Sequence, residues 1–144
     1  MILAHRGRRS KQLSLVYQEI SSIQLMQGFL SEAMDSLTKA FEMDVRNGQL
    51  AMQLAQLALD IDEEETALRA FRSVTMMKPA DGDPSEGAIP EAKAEAHFQL
   101  ARIAFKRGDP RKAKVLVAKA LAENPQLEPA RLLLHDLEAA ERRA

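Results

Sequence analysis

AEAHFQLARIAFKRGDPRKAKVLVAKALAENPQL, residues 94–127, decides how this chain is read. Apolar residues recur at i, i+3, i+4 and i+7 in both of its halves, the spacing of one helix face. Between the halves, Asp109 and Pro110 supply a helix cap and a proline at the first helical position. Asn124-Pro125 ends the second half. The segment therefore predicts two short helices folded back on one another. Helices of roughly four turns are marginal alone in water, so each has to bury its apolar stripe against a neighbour.

Working outward, the pattern recurs in register at 14–47 and 48–81, each 34 residues long, and twelve extra residues, 82–93, precede the third copy. Repeat position 20 is always small (Ala33, Ala67, Ala113), as is position 8 (Ser21, Ala55, Ala101). Position 7 is large and aliphatic (Ile20, Leu54, Leu100), and position 24 is bulky (Leu37, Phe71, Val117). Position 27 holds Ala40, Val74 and Ala120, position 15 Gly28, Asp62 and Gly108, and position 32 Val45, Pro79 and Pro125. Small side chains let two helices approach closely while bulky ones fill the remaining gap.

This period and these columns resemble the tetratricopeptide repeat (TPR) family. Departures fall at position 4 (Tyr17, Ala51, His97) and at position 11, where Gln24, Ala58 and Ala104 stand in place of the Tyr the family favours. The resemblance implies an all-α, right-handed solenoid of three helix pairs. Residues 128–144 read as a capping helix, with Leu133, Leu134 and Leu137 inward and Arg142 and Arg143 outward. The expected organisation is a basic lead-in at 1–13, then one domain at 14–144 with an insertion loop at 82–93. The chain also looks similar to C-terminal portions of large bacterial multi-repeat proteins of this family, and reads as a domain excised from a longer chain.

In the first repeat, the stripe expected to turn inward is Leu13, Val16, Tyr17, Ile20 and Ile23. Ser31 with Glu32, and Asp62 with Glu65, read as N-terminal caps of second helices, and Pro90 and Pro129 as first-turn prolines. Arg6, Arg8, Arg9 and Lys11 make the lead-in purely cationic, a disordered or helix-leading tail or, as the alternative, a basic arm or transit segment.

The charge balance, 20 Lys+Arg against 21 Asp+Glu, argues against a nucleic-acid binder. The absence of Cys excludes disulfides, thiolate catalysis and Cys-ligated metal. No apolar run approaches the ~20 residues of a membrane span, and no signal-peptide core follows the start, so a cytoplasmic protein without membrane insertion is expected.

No chemistry emerges from the remaining motifs. His97 falls at an inward repeat position and reads as a packed imidazole; His5 and His135 have no ligand-spaced companions. No Ser or Thr sits in a nucleophile elbow, and no glycine-rich segment is built to cradle phosphate. The run Asp60, Asp62, Glu63, Glu64, Glu65 is a turn and a helix amino terminus. The loop from Asp81 fails as a calcium loop, with Glu86 at the glycine position and Ala92 at the bidentate glutamate. The expectation is a non-enzyme with no metal and no cofactor.

Charge is divided unevenly along the chain. Residues 14–93 carry 14 acids and 6 bases, whereas 94–127 carry 7 bases and 3 acids, among them Lys106, Arg107, Arg111, Lys112, Lys114 and Lys119. That cluster reads as a solvated face, or as a patch for an acidic partner or a second copy.

The family resemblance implies a concave groove lined by the first helices, which here offers Gln18, Ser22, Gln49, Met52, Gln53, Gln56, Phe98, Gln99 and Arg102. Amides bond a peptide backbone from either side, and Met and Phe add adaptable apolar contact. Some family members grip chaperone C-termini with a carboxylate clamp. The matching positions here, Gln18, Ser22, Gln53, Glu95 and Gln99, hold no cation pair, and Glu95 repels a carboxylate. The function implied is a non-catalytic module binding a peptide or helix of another protein. The alternative is a structural segment of a larger scaffold, or a homo-oligomer, with no groove ligand.

Overall fold

Repeat position 15 is where each hairpin reverses. Gly28, Asp62 and Gly108 take φ values of 81°, 62° and 84°, the left-handed region open to glycine and tolerated by Asp. The computed structural model describes residues 2–143, with side chains from Gly7 onward. Met1, Ala144 and the side chains of His5 and Arg6 lie outside the described residues. The three turns join α1 (Ile2–Met26) to α2 (Leu30–Met43), α3 (Gly48–Asp60) to α4 (Glu64–Met76), and α5 (Pro90–Lys106) to α6 (Pro110–Glu123). A last helix, α7 (Glu128–Arg143), follows. Among the described residues there is no strand, and the architecture is an α-solenoid of three helix pairs closed by α7. The basic lead-in continues α1 as helix without a break.

Two of the expected caps are corrected. Phe29 and Glu63, not Ser31 and Asp62, precede α2 and α4, and neither makes a side-chain cap. Asp62 is instead the left-handed residue of its turn. The backbone closes all three turns alike: Phe29 N donates to Gln24 O at 2.9 Å, Glu63 N to Ala58 O at 2.7 Å and Asp109 N to Ala104 O at 2.9 Å. These bonds satisfy carbonyls that a helix end would leave orphaned. Asp109 does cap α6, accepting from Lys112 N at 3.2 Å. Asn47 caps α3, accepting from Leu50 N at 3.0 Å, with no warning in the sequence reading.

Ala33, Ala67 and Ala113 are fully buried, with Leu37, Phe71 and Val117 beside them. One core runs from α2 to α5 and a second from α5 to α7, and Leu116 packs against both.

The first helix corrects the expected stripe. Val16, Ile20 and Ile23 are 54%, 39% and 56% exposed, whereas their counterparts Leu50, Leu54 and Leu57 in α3 are 1%, 3% and 8% exposed beneath α2. Leu13 is exposed as well, and only Tyr17 of that stripe packs on the core. The side of α1 facing α2 is polar. Ser14 is buried and its hydroxyl donates to Ala40 O at 2.9 Å, while buried Ser21 donates to Gln18 O at 2.7 Å.

The insertion is pinned. Gly48 N donates to Gly87 O at 3.0 Å, Ala88 N to Lys78 O at 3.0 Å and Ala80 N to Ala88 O at 3.1 Å. A Cβ on Gly48 would sit 2.4 Å from Gly87 O, so the α3 start and the loop touch only because residue 48 is glycine. Lys11 pairs with Glu86 of the 3₁₀ turn Pro84–Glu86, joining α1 to this loop and raising the lysine pKa. Two residues of this loop, Gly87 and Ala88, are buried.

Candidate functional site

Clefts open along the face made by α1, α3, α5 and α7. One of about 410 Å³ is lined by Gln18, Ser22, Leu25, Gln53, Gln56 and Asp60 between α1 and α3. A second, of about 520 Å³, lies between α3 and the insertion and is mostly apolar, lined by Gln49, Met52, Gln53, Ala88, Ile89 and Ala92. A third, also about 520 Å³, lies between α3, α5 and α7 and is edged by Asp60, Gln99, Arg102, Lys106 and Asp136. Gln56 lines all three.

Helical spacing orients these side chains, because residues four apart share a face. Gln18 Nε2 donates to Ser14 Oγ at 3.1 Å, Gln56 Nε2 to Asp60 Oδ1 at 3.1 Å, and Gln99 Nε2 to Glu95 Oε1 at 2.9 Å. Arg102 donates to Gln99 Oε1 at 3.0 Å. In each case an amide N–H is held within its own helix. The side-chain Oε1 atoms of Gln18 and Gln56 accept no hydrogen bond from the described residues, so they can accept from an incoming N–H.

Eight of the nine sequence-predicted groove residues line these clefts. Phe98 does not belong with them. It is 7% exposed and packs in the second core with Leu133 and Leu137, because α7 closes over this part of α5. What reaches the surface there is the Arg102 guanidinium, 5.9 Å from the ring centroid, favourably placed for a cation–π contact. Sequence reasoning also missed Asp136 and Ile89, since neither lies in a first helix of the three repeats. Only the apolar character of Ile89 beside Pro90 offered a signal.

The basic cluster is partly neutralised from within. Arg107 donates to Glu64 at 2.7 Å and Glu65 at 2.9 Å, bonds that raise its pKa, and Lys114 pairs with Glu141 at 3.1 Å. His97 is half-buried and its Nδ1 has no partner among the described residues; burial lowers its pKa. It borders a cleft of about 380 Å³ on the opposite face, with Arg72, Lys112 and Lys119 at the rim. Among the described residues no three His, Cys, Asp or Glu side chains come together as a metal site, and no helix is long and apolar enough to cross a membrane.

Residues 94–127 match the family model for the tetratricopeptide repeat. Among solved structures, the chain is 18% identical to the first such domain of Spaghetti (RPAP3) bound to the HSP90 peptide SRMEEVD, over 92% of this chain and 95% of that one, with a TM-score of 0.65. It is 17% identical to MamA over 90% of this chain and 64% of that one, with a TM-score of 0.67. The first domain of human RPAP3 is 19% identical, over 92% of this chain and 95% of that one, with a TM-score of 0.57. At these identities the likeness is one of fold. No curated protein matches the chain.

Proposed function

Starting from a chain that carries the tetratricopeptide-repeat fold, we propose that it is a non-catalytic module that holds a segment of another protein along its concave face. The convergence of three clefts on Gln56 carries this reading, because one extended segment lying across that residue would touch α1, α3 and α5 together. The amides offer acceptors to its backbone, and Met52, Ile89 and Ala92 offer an apolar seat for one of its side chains.

The segment is not an acidic tail. The RPAP3 neighbour holds SRMEEVD, but here the clamp positions carry Gln18, Ser22, Gln53, Glu95 and Gln99, and Asp60 and Asp136 add negative charge. Such a peptide would find no cation at the clamp positions, and the Arg102 and Lys106 nearby are offset by Asp60 and Asp136.

Selection of peptides from a displayed random library, followed by fluorescence anisotropy, tests the proposal. Recovered peptides are expected to bind a Gln53→Ala, Gln56→Ala double variant on the order of tenfold more weakly, and to bind Arg72→Ala, on the opposite face, unchanged. SRMEEVD is expected not to bind. Equal binding by the double variant, or tight binding of SRMEEVD, would overturn the reading.

A further inference from the structure

Repeat positions 3, 7 and 10 are covered in the second and third repeats by the helix before them: α2 packs on α3, and α4 on α5. The same positions in α1 are Val16, Ile20 and Ile23, and they face water together with Leu13. The four residues follow a 3-4-3 spacing, the a/d seam of a coiled coil, over two heptads. A helix laid antiparallel on α1, as α2 lies on α3, is what that seam is shaped to accept.

A second copy of this chain offers such a helix. Among the described helices, no other has an uncovered aliphatic row. The outer side of α7 is Arg131, His135 and Asp136, with Leu132 the large apolar residue there. The surface on a second copy that matches α1 is therefore α1 itself, which makes the contact isologous and closed. Charge points the same way. Running antiparallel with Val16 opposite Ile20 of the partner subunit, and Leu13 opposite Ile23 of the partner subunit, each α1 carries exposed Arg8 and Arg9 alongside the α1–α2 turn of the other copy. There α2 begins with exposed Glu32 and Asp35. A parallel arrangement would set the cationic starts of both helices against each other.

We propose that this face of α1 is a self-association surface, through which two copies pair antiparallel along Leu13, Val16, Ile20 and Ile23. The contact leaves the concave clefts open, so it stands apart from the groove reading.

Light scattering on the full chain, from about 10 to about 500 µM, tests it. The mass is expected to rise from the 16.0 kDa of one chain to twice that value and stop. Ile20→Glu, at an exposed position that spares the core, is expected to keep its helical circular dichroism and to weaken dimerisation on the order of tenfold or more. Because the chain has no cysteine, orientation is read by single-cysteine variants. Leu13→Cys and Ile23→Cys mixed together are expected to form a disulfide with each other and little with themselves. A mass fixed at 16.0 kDa, growth beyond a dimer, an Ile20→Glu variant that dimerises like the natural chain, or self-linked cysteine variants would each overturn the proposal. Peptide binding by the monomeric variant reports on the groove separately.

Discussion

At the carboxy-terminal end, α7 buries Ala130, Leu133 and Leu137 and turns Arg131, His135 and Asp136 outward. At the amino-terminal end, α1 buries Ser14 and Ser21 and turns Val16, Ile20 and Ile23 outward. α6 lies against α7, whereas no described helix lies against the outward face of α1, so the polarity of a helix face follows from what covers it. A solenoid requires a polar outer face wherever stacking stops. The outer side of α7 meets that requirement, and the matching side of α1 presents an uncovered aliphatic seam.

Substitution at the two ends gives the largest expected contrast. Leu137→Ala removes a fully buried side chain and is expected to lower stability by about 2–5 kcal/mol in urea denaturation. Ile20→Ala, measured at dilute concentration, is expected to cost less than about 1 kcal/mol, because water already reaches that side chain. Comparable losses would abolish the distinction between the ends.

Acid sharpens the comparison, since an unpartnered half-buried imidazole sits in α5 and none is found in α3. Burial lowers the His97 pKa, so the unfolded chain takes up the proton more readily than the folded one. The stability this residue contributes is present above pH 6.5 and is lost as pH falls through that value toward the lower folded pKa. Urea midpoints are expected to drop more for the natural chain than for His97→Gln between about pH 7 and about pH 5.5. Parallel curves would place the acid sensitivity elsewhere.

The smallest effect tests what holds α7 in place. Lys114→Ala breaks the exposed pair with Glu141 and is expected to cost no more than about 0.5 kcal/mol. A larger loss would mean that charge, not Leu133 and Leu137, fastens the cap.

The sequence made the repeat legible because Ala33, Ala67 and Ala113 occupy sites where any larger residue would push two helices apart, and such a constraint repeats faithfully. It did not reveal the fate of Ile20, because an aliphatic stripe looks the same whether or not a helix lies on it. The caps at Ser31 and Asp62 were misplaced for a related reason. Capping residues also favour turns, and at position 15 the companions of Asp62 are glycines, which tell of a left-handed turn. Of the candidate groove, the amides were readable from spacing along first helices. Burial of Phe98 depends on α7, which lies outside the repeat alignment. The role of Gly48 depends on a loop that the period skips.

Gly87 against Gly48, and Ala88 bonded to Lys78 and Ala80, fix both roots of the insertion, whereas its tip at Gly82 and Asp83 is exposed. Residues added or removed at the tip would leave the pitch of the solenoid unaltered while changing what overhangs the seat formed by Met52 and Ile89. In a chain whose remaining spacings are dictated by stacking, this tip is where length can vary while the helices keep their places.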